Sequence, residues 1–143
     1  VIVYAESSAV LPWLLGEPRG SAVQQALATA VFVMTSDLTL IECDRAFHRA
    51  LTLGALSADR CAALRTELNR VVEGRVLMRL GDEIVERARG PFPGDPIRTL
   101  DALHLATCLH ARASVPETTL LTLEDRVRRC VRELGVPVLP PAA

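Results

Sequence analysis

Four carboxylates in this chain stand where an acid is costly unless something answers its charge. Glu6 follows the apolar run Val1 to Tyr4, Glu42 lies in the helical stretch after a second such run, Asp101 sits between Leu100 and Ala102-Leu103, and Glu124 follows Leu121-Thr122-Leu123 with Asp125 beside it. Asp101 is the most telling, because Asp and Glu are rarely buried without a cap, a basic partner or a cation. Like charges crowded in one pocket raise one another's pKa, and a divalent cation among them relieves the repulsion. Oxygen-only donors favour Mg²⁺ or Mn²⁺ over Zn²⁺. Such a centre polarises a phosphoryl oxygen and lowers the pKa of a water held in line for attack on a phosphodiester.

Each acid alone also suits a plainer role. Glu6 fits an ordinary first-turn acid favoured by the helix dipole, Glu42 a surface pair with Arg45, and Glu124-Asp125 a normal helix start. Their joint placement carries the case for a site. Other reactive groups carry less. His104 and Cys108 are four apart with His110 close by, but no second pair with zinc-ligand spacing accompanies them, so they read as structural, as do His48 and Cys43. The chain has no Gly-rich phosphate loop, no Gly-x-Ser-x-Gly elbow and no Cys/His nucleophile pair with a partner acid. Nucleotide-hydrolysing and covalent-hydrolase chemistries fall away.

The elements that must position these acids alternate. Val1 to Tyr4 reads as a strand feeding a helix from Ser8 to Leu15, and Ser21 to Thr29 as a second helix. Val31 to Met34 reads as a strand closed by Thr35-Ser36-Asp37, any of which can cap the next helix, whose stripe is Leu38, Ile41, Ala46, Leu51 and Leu53. Ser57 or Asp59 starts another helix through Leu64, Leu68 and Val72. Val76 to Met78 suggests a strand before a helix from Gly81 to Arg89. The loop Gly90 to Pro96 ends in Asp95-Pro96, an N-cap followed by proline at the first helical position, ahead of a helix from Leu100 to Ala113. Thr119 to Leu123 is a strand, Glu124 to Leu134 a helix with Val127, Val131 and Leu134 inward, and Val136 to Leu139 an edge strand.

This alternation predicts an α/β fold, a three-layer α/β/α sandwich around a mainly parallel sheet. In such sheets ligands bind beyond the carboxyl ends of the strands, the end at which both Glu6 and Glu124 fall. A length of 143 residues corresponds to one domain, 1–143, and a hydrophobic content of 50% is ample for its core. With aromatics at only 3%, there is no ladder on which exposed bases stack, and a net charge of −1 supplies no global field for a polyanion. The four cysteines form no Cys-x-x-Cys pair and read as free, buried thiols. The N-terminal apolar run is broken by Glu6, Pro12 and Glu17, so neither a signal peptide nor a membrane span is expected, and a cytoplasmic protein is the default.

The segments Val3-Tyr4-Ala5-Glu6-Ser7-Ser8-Ala9-Val10, Leu40-Ile41-Glu42-Cys43-Asp44-Arg45, Leu100-Asp101-Ala102-Leu103-His104-Leu105-Ala106 and Leu121-Thr122-Leu123-Glu124-Asp125-Arg126-Val127 resemble the successive motifs of PIN-domain proteins, most closely the bacterial VapC-type toxins. They occur in the right order across nearly the whole chain. The resemblance implies a compact α/β/α domain, a Mg²⁺-dependent endoribonuclease (Mn²⁺ being the alternative ion), a cognate antitoxin and a homodimer. By the same resemblance Glu42 and Asp101 match the family's acids in type and place, whereas Glu6 and Glu124 stand where aspartate is usual. Catalysis then falls to Glu6, Glu42, Asp101 and Glu124, metal binding to Glu6, Asp101 and Glu124 with Asp125 as an alternate ligand, and support to Ser8 and Thr122.

Arg126 falls where the family often carries a basic residue near the cleft and is the candidate RNA contact, while Arg128, Arg129 and Arg132 read mainly as a solvated helix face. Glutamate is one methylene longer than aspartate, and Mg²⁺ tolerates little error around its octahedron. A PIN-fold module that acts by binding protein, with weakened or absent catalysis, is therefore the alternative, and a DNA nuclease of the same fold is a nearer variant.

Overall fold

The computed structural model describes residues 1–94 and 96–142. The chain runs β1 (Ile2–Ala5), α1 (Ser7–Leu14), α2 (Gly20–Thr29), β2 (Phe32–Ser36), α3 (Asp37–Thr52), α4 (Ala58–Val72), β3 (Val76–Met78), α5 (Asp82–Ala88), α6 (Thr99–Ser114), β4 (Thr118–Leu121), α7 (Asp125–Glu133) and β5 (Val138–Leu139). Every strand pair is parallel, in the order β3-β2-β1-β4-β5. The chain moves to one side of β1 for β2 and β3, then crosses back to pair β4 with β1, with Ala5 opposite Leu121. That reversal opens a crevice past the carboxyl ends of β1 and β4.

The period-2 alternation of β1 separates two cores. Val3 and Ala5 face α1 to α4, packing with Val10, Val23, Phe47, Leu64 and Leu68, whereas Tyr4 points to the opposite face with Leu105, Leu120, Val127 and Val131 from α6, β4 and α7. The three-layer α/β/α arrangement is thus the observed one. Leu105 is fully buried, a contribution of about 2 kcal/mol for such a side chain. Ser57 caps α4 by accepting from the Arg60 amide at 3.1 Å. Gly20 lets α2 begin tight against α1: a Cβ there would stand 2.7 Å from the Pro12 carbonyl oxygen and 2.8 Å from Trp13 Cα. All four cysteines are free and buried. Among the described residues no helix is long and apolar enough to cross a membrane.

Four local expectations are corrected. The buried face of α3 is Leu38, Thr39, Cys43 and Phe47, while Ile41 and Leu53 are exposed at 55% and 71%. A 3.6-residue period admits either stripe, and the seats of α1 and α4 select the observed one. Ser36 occupies the N-cap position of α3, but its side chain makes no cap bond because Tyr4 engages it. The helix α6 starts at Thr99 with Arg98 as its N-cap rather than at Pro96; Asp95 lies outside the described residues. In addition, β4 ends at Leu121, two residues before the expected Leu123, as Thr122 turns its hydroxyl to the Glu124 amide at 3.1 Å.

Candidate active site

Glu6, Glu42, Asp101 and Glu124 line one cleft of about 540 Å³, together with Ser7, Ser8, Arg98 and Thr99. They come from four places in the chain: the β1–α1 junction, α3, the first turn of α6 and the N-cap of α7. The cleft opens at the crevice where the strand order reverses.

Glu6 forms the floor. Its backbone is tied to β4 by the Leu121 carbonyl, which accepts from the Glu6 amide at 3.2 Å, and its own carbonyl accepts from Ala9 and Val10 at 3.1 Å. The side chain is only 2% exposed and is met by the Ser8 and Thr122 hydroxyls as well as the Ser8 amide, so a plain helix-start role does not by itself describe it. Burial, the largest influence, raises its pKa above the ordinary value of 4.5, against the opposing effects of His104, Ser8 and Thr122. Ser8 Oγ donates to Glu6 Oε1, lies 3.1 Å from Thr122 Oγ1 and accepts from the Leu123 amide at 2.9 Å. Ser8 and Thr122 therefore join the end of β1 to the end of β4 while holding the buried carboxylate.

Glu42 is held by a residue that sequence reasoning assigned to structure alone. His104 Nε2 lies 2.6 Å from Glu42 Oε1 and 3.9 Å from Glu6 Oε2. A carboxylate only accepts, so Nε2 carries the proton of the 2.6 Å bond. Nδ1 meets the Tyr4 hydroxyl at 2.9 Å, and Tyr4 in turn is 2.9 Å from Ser36 Oγ. A buried chain thus runs Ser36, Tyr4, His104, Glu42, with His104 only 1% exposed. Among the described residues Glu42 pairs with His104 and not with Arg45. The available signal was the spacing of Asp101 and His104, three apart and so on one helix face. Both His104 nitrogens are occupied, and burial pushes the Cys43 and Cys108 thiols up to about 12, which leaves neither a zinc pair nor a reactive thiolate.

Asp101 and Glu124 form the rim. Burial first and the Glu124 charge second raise the Asp101 pKa, opposed by the Arg98 amide, His104 and the Arg98 guanidinium. Glu124 also accepts from the Arg126 amide at 3.4 Å, so it caps α7 while lining the cleft. Asp125 and Arg126 are not brought in. Asp125 lines a separate pocket on the far side of Glu124, and Arg126 is exposed on α7 without lining the acidic cleft. The arginine that does line it is Arg98, which had no motif to flag it.

Among the described residues no group of three or more His, Cys, Asp or Glu stands as a ready-made metal cage. The donor chemistry nonetheless suits a hard divalent cation. Carboxylate oxygens converge on one cleft, and both Glu6 and Asp101 are pushed toward the neutral acid by their surroundings, a cost that a cation offsets.

A parallel sheet with a strand-order reversal and acids from four elements over that reversal is the arrangement of a PIN domain, and residues 3–132 match the PIN domain family model. The chain belongs to this family. Within it, the chain is closely related to bacterial VapC-type toxin ribonucleases. It is 30% identical over 140 residues to ribonuclease VapC46 of Mycobacterium tuberculosis, covering 98% of each chain, and 28% identical over 142 residues to ribonuclease VapC35 of the same species, covering 98% of this chain and 97% of the relative. In three dimensions it resembles M. tuberculosis VapC20, a Sarcin-Ricin loop cleaving toxin, with a TM-score of 0.64 at 14% identity over 89% of this chain and 93% of that one. It also resembles a chain of FitAB bound to a DNA fragment, with a TM-score of 0.65 at 15% identity over 96% and 93%.

Proposed function

We propose that the protein is a metal-dependent endoribonuclease, the toxin of a type II toxin–antitoxin pair, which hydrolyses RNA phosphodiesters in the acidic cleft. The observation that carries this reading is the convergence of Glu6, Glu42, Asp101 and Glu124, from four separate elements, at the end of the sheet where its order reverses. Kinship with ribonucleases VapC46 and VapC35 supports RNA as the substrate. A cognate antitoxin is supported by the likeness to VapBC2 of Rickettsia felis and to FitAB, both seen as complexes on DNA. A homodimer acting in the cytoplasm completes the proposal.

Glu6, Asp101 and Glu124, joined by Glu42, would hold Mg²⁺ or Mn²⁺. When bound, the ion polarises a phosphoryl oxygen and makes a water nucleophilic at neutral pH. Ser8 and Thr122 keep the Glu6 carboxylate aimed into the cleft. His104 fixes Glu42 through a hydrogen bond that leaves the other carboxylate oxygen available. Arg98, at the rim, presents a planar guanidinium suited to a phosphate. No side chain becomes covalently attached to the substrate.

Asp101→Asn tests this directly. Titration of Mn²⁺ and Mg²⁺ into the partner-free protein is expected to give saturable heat that the variant lacks. Metal-dependent cleavage of structured RNA should fall about 10²-fold or more with no loss of melting temperature. Retained cleavage in the variant would sink the assignment of Asp101, and metal binding without cleavage of any RNA would favour a DNA nuclease or a protein-binding module.

A further inference from the structure

The far side of the β4–α7 junction is the electrostatic opposite of the acidic cleft. Glu124 lines the cleft, while its neighbours Leu123 and Asp125 line a second pocket of about 450 Å³, shared with Arg19, Arg128 and Arg132. The guanidinium of Arg19, from the N-cap of α2, donates to the Leu123 carbonyl at 2.8 Å. Arg128 is pinned twice, by the Thr122 carbonyl at 2.8 Å and the Pro140 carbonyl at 2.6 Å. Arg132 stands one turn further along α7. Among the described residues none of these three guanidiniums forms a salt bridge, and Asp125 is the one acid lining the pocket.

Crowding like charges beside one another is costly unless an anion answers them. Burial, then Arg132, and further Arg19, press the Arg128 pKa below its ordinary value, with Asp125 opposing. Each guanidinium carries five donors, so the carbonyl bonds that fix Arg19 and Arg128 leave others directed elsewhere. Main-chain carbonyls thus hold these cations in place before any ligand arrives, which lowers the ordering cost of binding.

We infer that the pocket of Arg19, Arg128 and Arg132 grips a backbone phosphate of the RNA strand whose scissile phosphate lies in the acidic cleft. This rests on the reading of that cleft as an RNA-cleaving site. Leu123 and Asp125, which line this pocket, flank Glu124, which lines the cleft, so the two pockets adjoin along one turn of the chain. A net charge of −1 gives such a strand little general attraction and makes a local cluster of this kind the place where polyanion binding is built. Phosphate contacts of this sort set register and carry little base preference.

The test uses the full chain carrying Asp101→Asn, so that RNA survives the measurement, and follows anisotropy of a labelled single-stranded oligoribonucleotide across a salt series. Added Arg132→Gln is expected to weaken binding several-fold and to make the salt dependence shallower by about 0.7 in log–log slope, the signature of one lost phosphate contact on a single strand. Arg132→Lys, which keeps the charge, should restore the slope. Arg70→Gln on α4, where Arg70 pairs with Glu67 at 2.9 Å, removes the same charge elsewhere and should change little. Parental affinity and slope in Arg132→Gln, or an equal loss in Arg70→Gln, would overturn the inference and leave the pocket to an acidic partner chain. Cleavage by the unsubstituted protein is scored separately. RNA cleavage with an unaltered grip in Arg132→Gln removes the pocket and keeps the nuclease, whereas a weakened grip without cleavage keeps the phosphate pocket and removes the nuclease.

Discussion

The floor and the rim of the acidic cleft carry the same kind of group under opposite regimes. At the floor, Glu6 is 2% exposed and held by Ser8 and Thr122, and His104 ties Glu42 to Tyr4 and Ser36. At the rim, Asp101 and Glu124 are half-buried, and the Glu124 charge adds to the cost of ionising Asp101, with Arg98 as the nearby cation. Geometry at the floor is over-determined by side-chain hydrogen bonds, whereas at the rim the carboxylates meet main-chain amides, that of Arg126 for Glu124 and that of Arg98 for Asp101. A site built this way can keep part of its frame rigid in the absence of a cation and let the remainder adjust when one enters. That division also explains how a cleft lined by four acids coexists with the lack of a closed metal cage among the described residues.

The comparison breaks most decisively at His104. His104→Ala removes a buried ring and leaves Tyr4 and Glu42 without their shared partner. The expected cost is about 2–4 kcal/mol, read by denaturant unfolding, together with loss of metal-dependent cleavage. Stability and cleavage both close to those of the parent would show that the floor does not depend on this chain.

Glu6→Asp restores the family's usual residue yet withdraws the carboxylate from the Ser8 and Thr122 hydroxyls placed to meet a glutamate. Cleavage is expected to fall about 10²-fold, as a misplaced reacting group commonly costs. An increase in rate would mean that the longer side chain at the floor is a handicap and not a fitted part.

A titration separates electrostatic from hydrogen-bonded control. Glu6 and Asp101 have folded pKa values raised above their ordinary 4.5 and 3.8, so between those values and the raised ones the folded state binds more protons than the unfolded state. Metal-free stability contributed by these two groups should therefore be full below the window, fall as pH rises through it and level off above it. Millimolar Mn²⁺ is expected to raise the melting temperature on the high-pH side of the window and so to flatten that decline. A metal-free melting temperature that instead rises with pH across the window would contradict the raised values.

The smallest effect belongs to the rim. Glu124→Asp shortens a partly exposed side chain held by a long bond from the Arg126 amide at 3.4 Å, and cleavage should stay within a few-fold of the parent. A loss as large as that of Glu6→Asp would erase the distinction between floor and rim.

Much of this arrangement was legible from residue types alone. The β-branched runs marked the strands, Ser57 marked a helix start, and an acid after each of two strands put Glu6 and Glu124 at one end of a parallel sheet. The apolar stripe of α3 was misread because two faces of that helix were nearly as hydrophobic, and only the positions of α1 and α4 chose between them. His104 looked like a core residue by its apolar neighbours, and it is one, but its partners lie 62 and 100 residues away in the chain. Asp125 and Arg126 adjoin Glu124 in sequence, yet the helix turn of α7 carries them out of the cleft, while Arg98 enters it without any motif.

By itself the sequence determined the alternation of strands and helices, the parallel sheet and the acids that gather at its carboxyl end, because hydrophobic periodicity and the cost of burying charge act locally along the chain. Tertiary structure decided which hydroxyls and which imidazole answer those acids, and which arginines crowd on the other side of Glu124. Those choices depend on distances between residues far apart in the chain, and no periodicity encodes them.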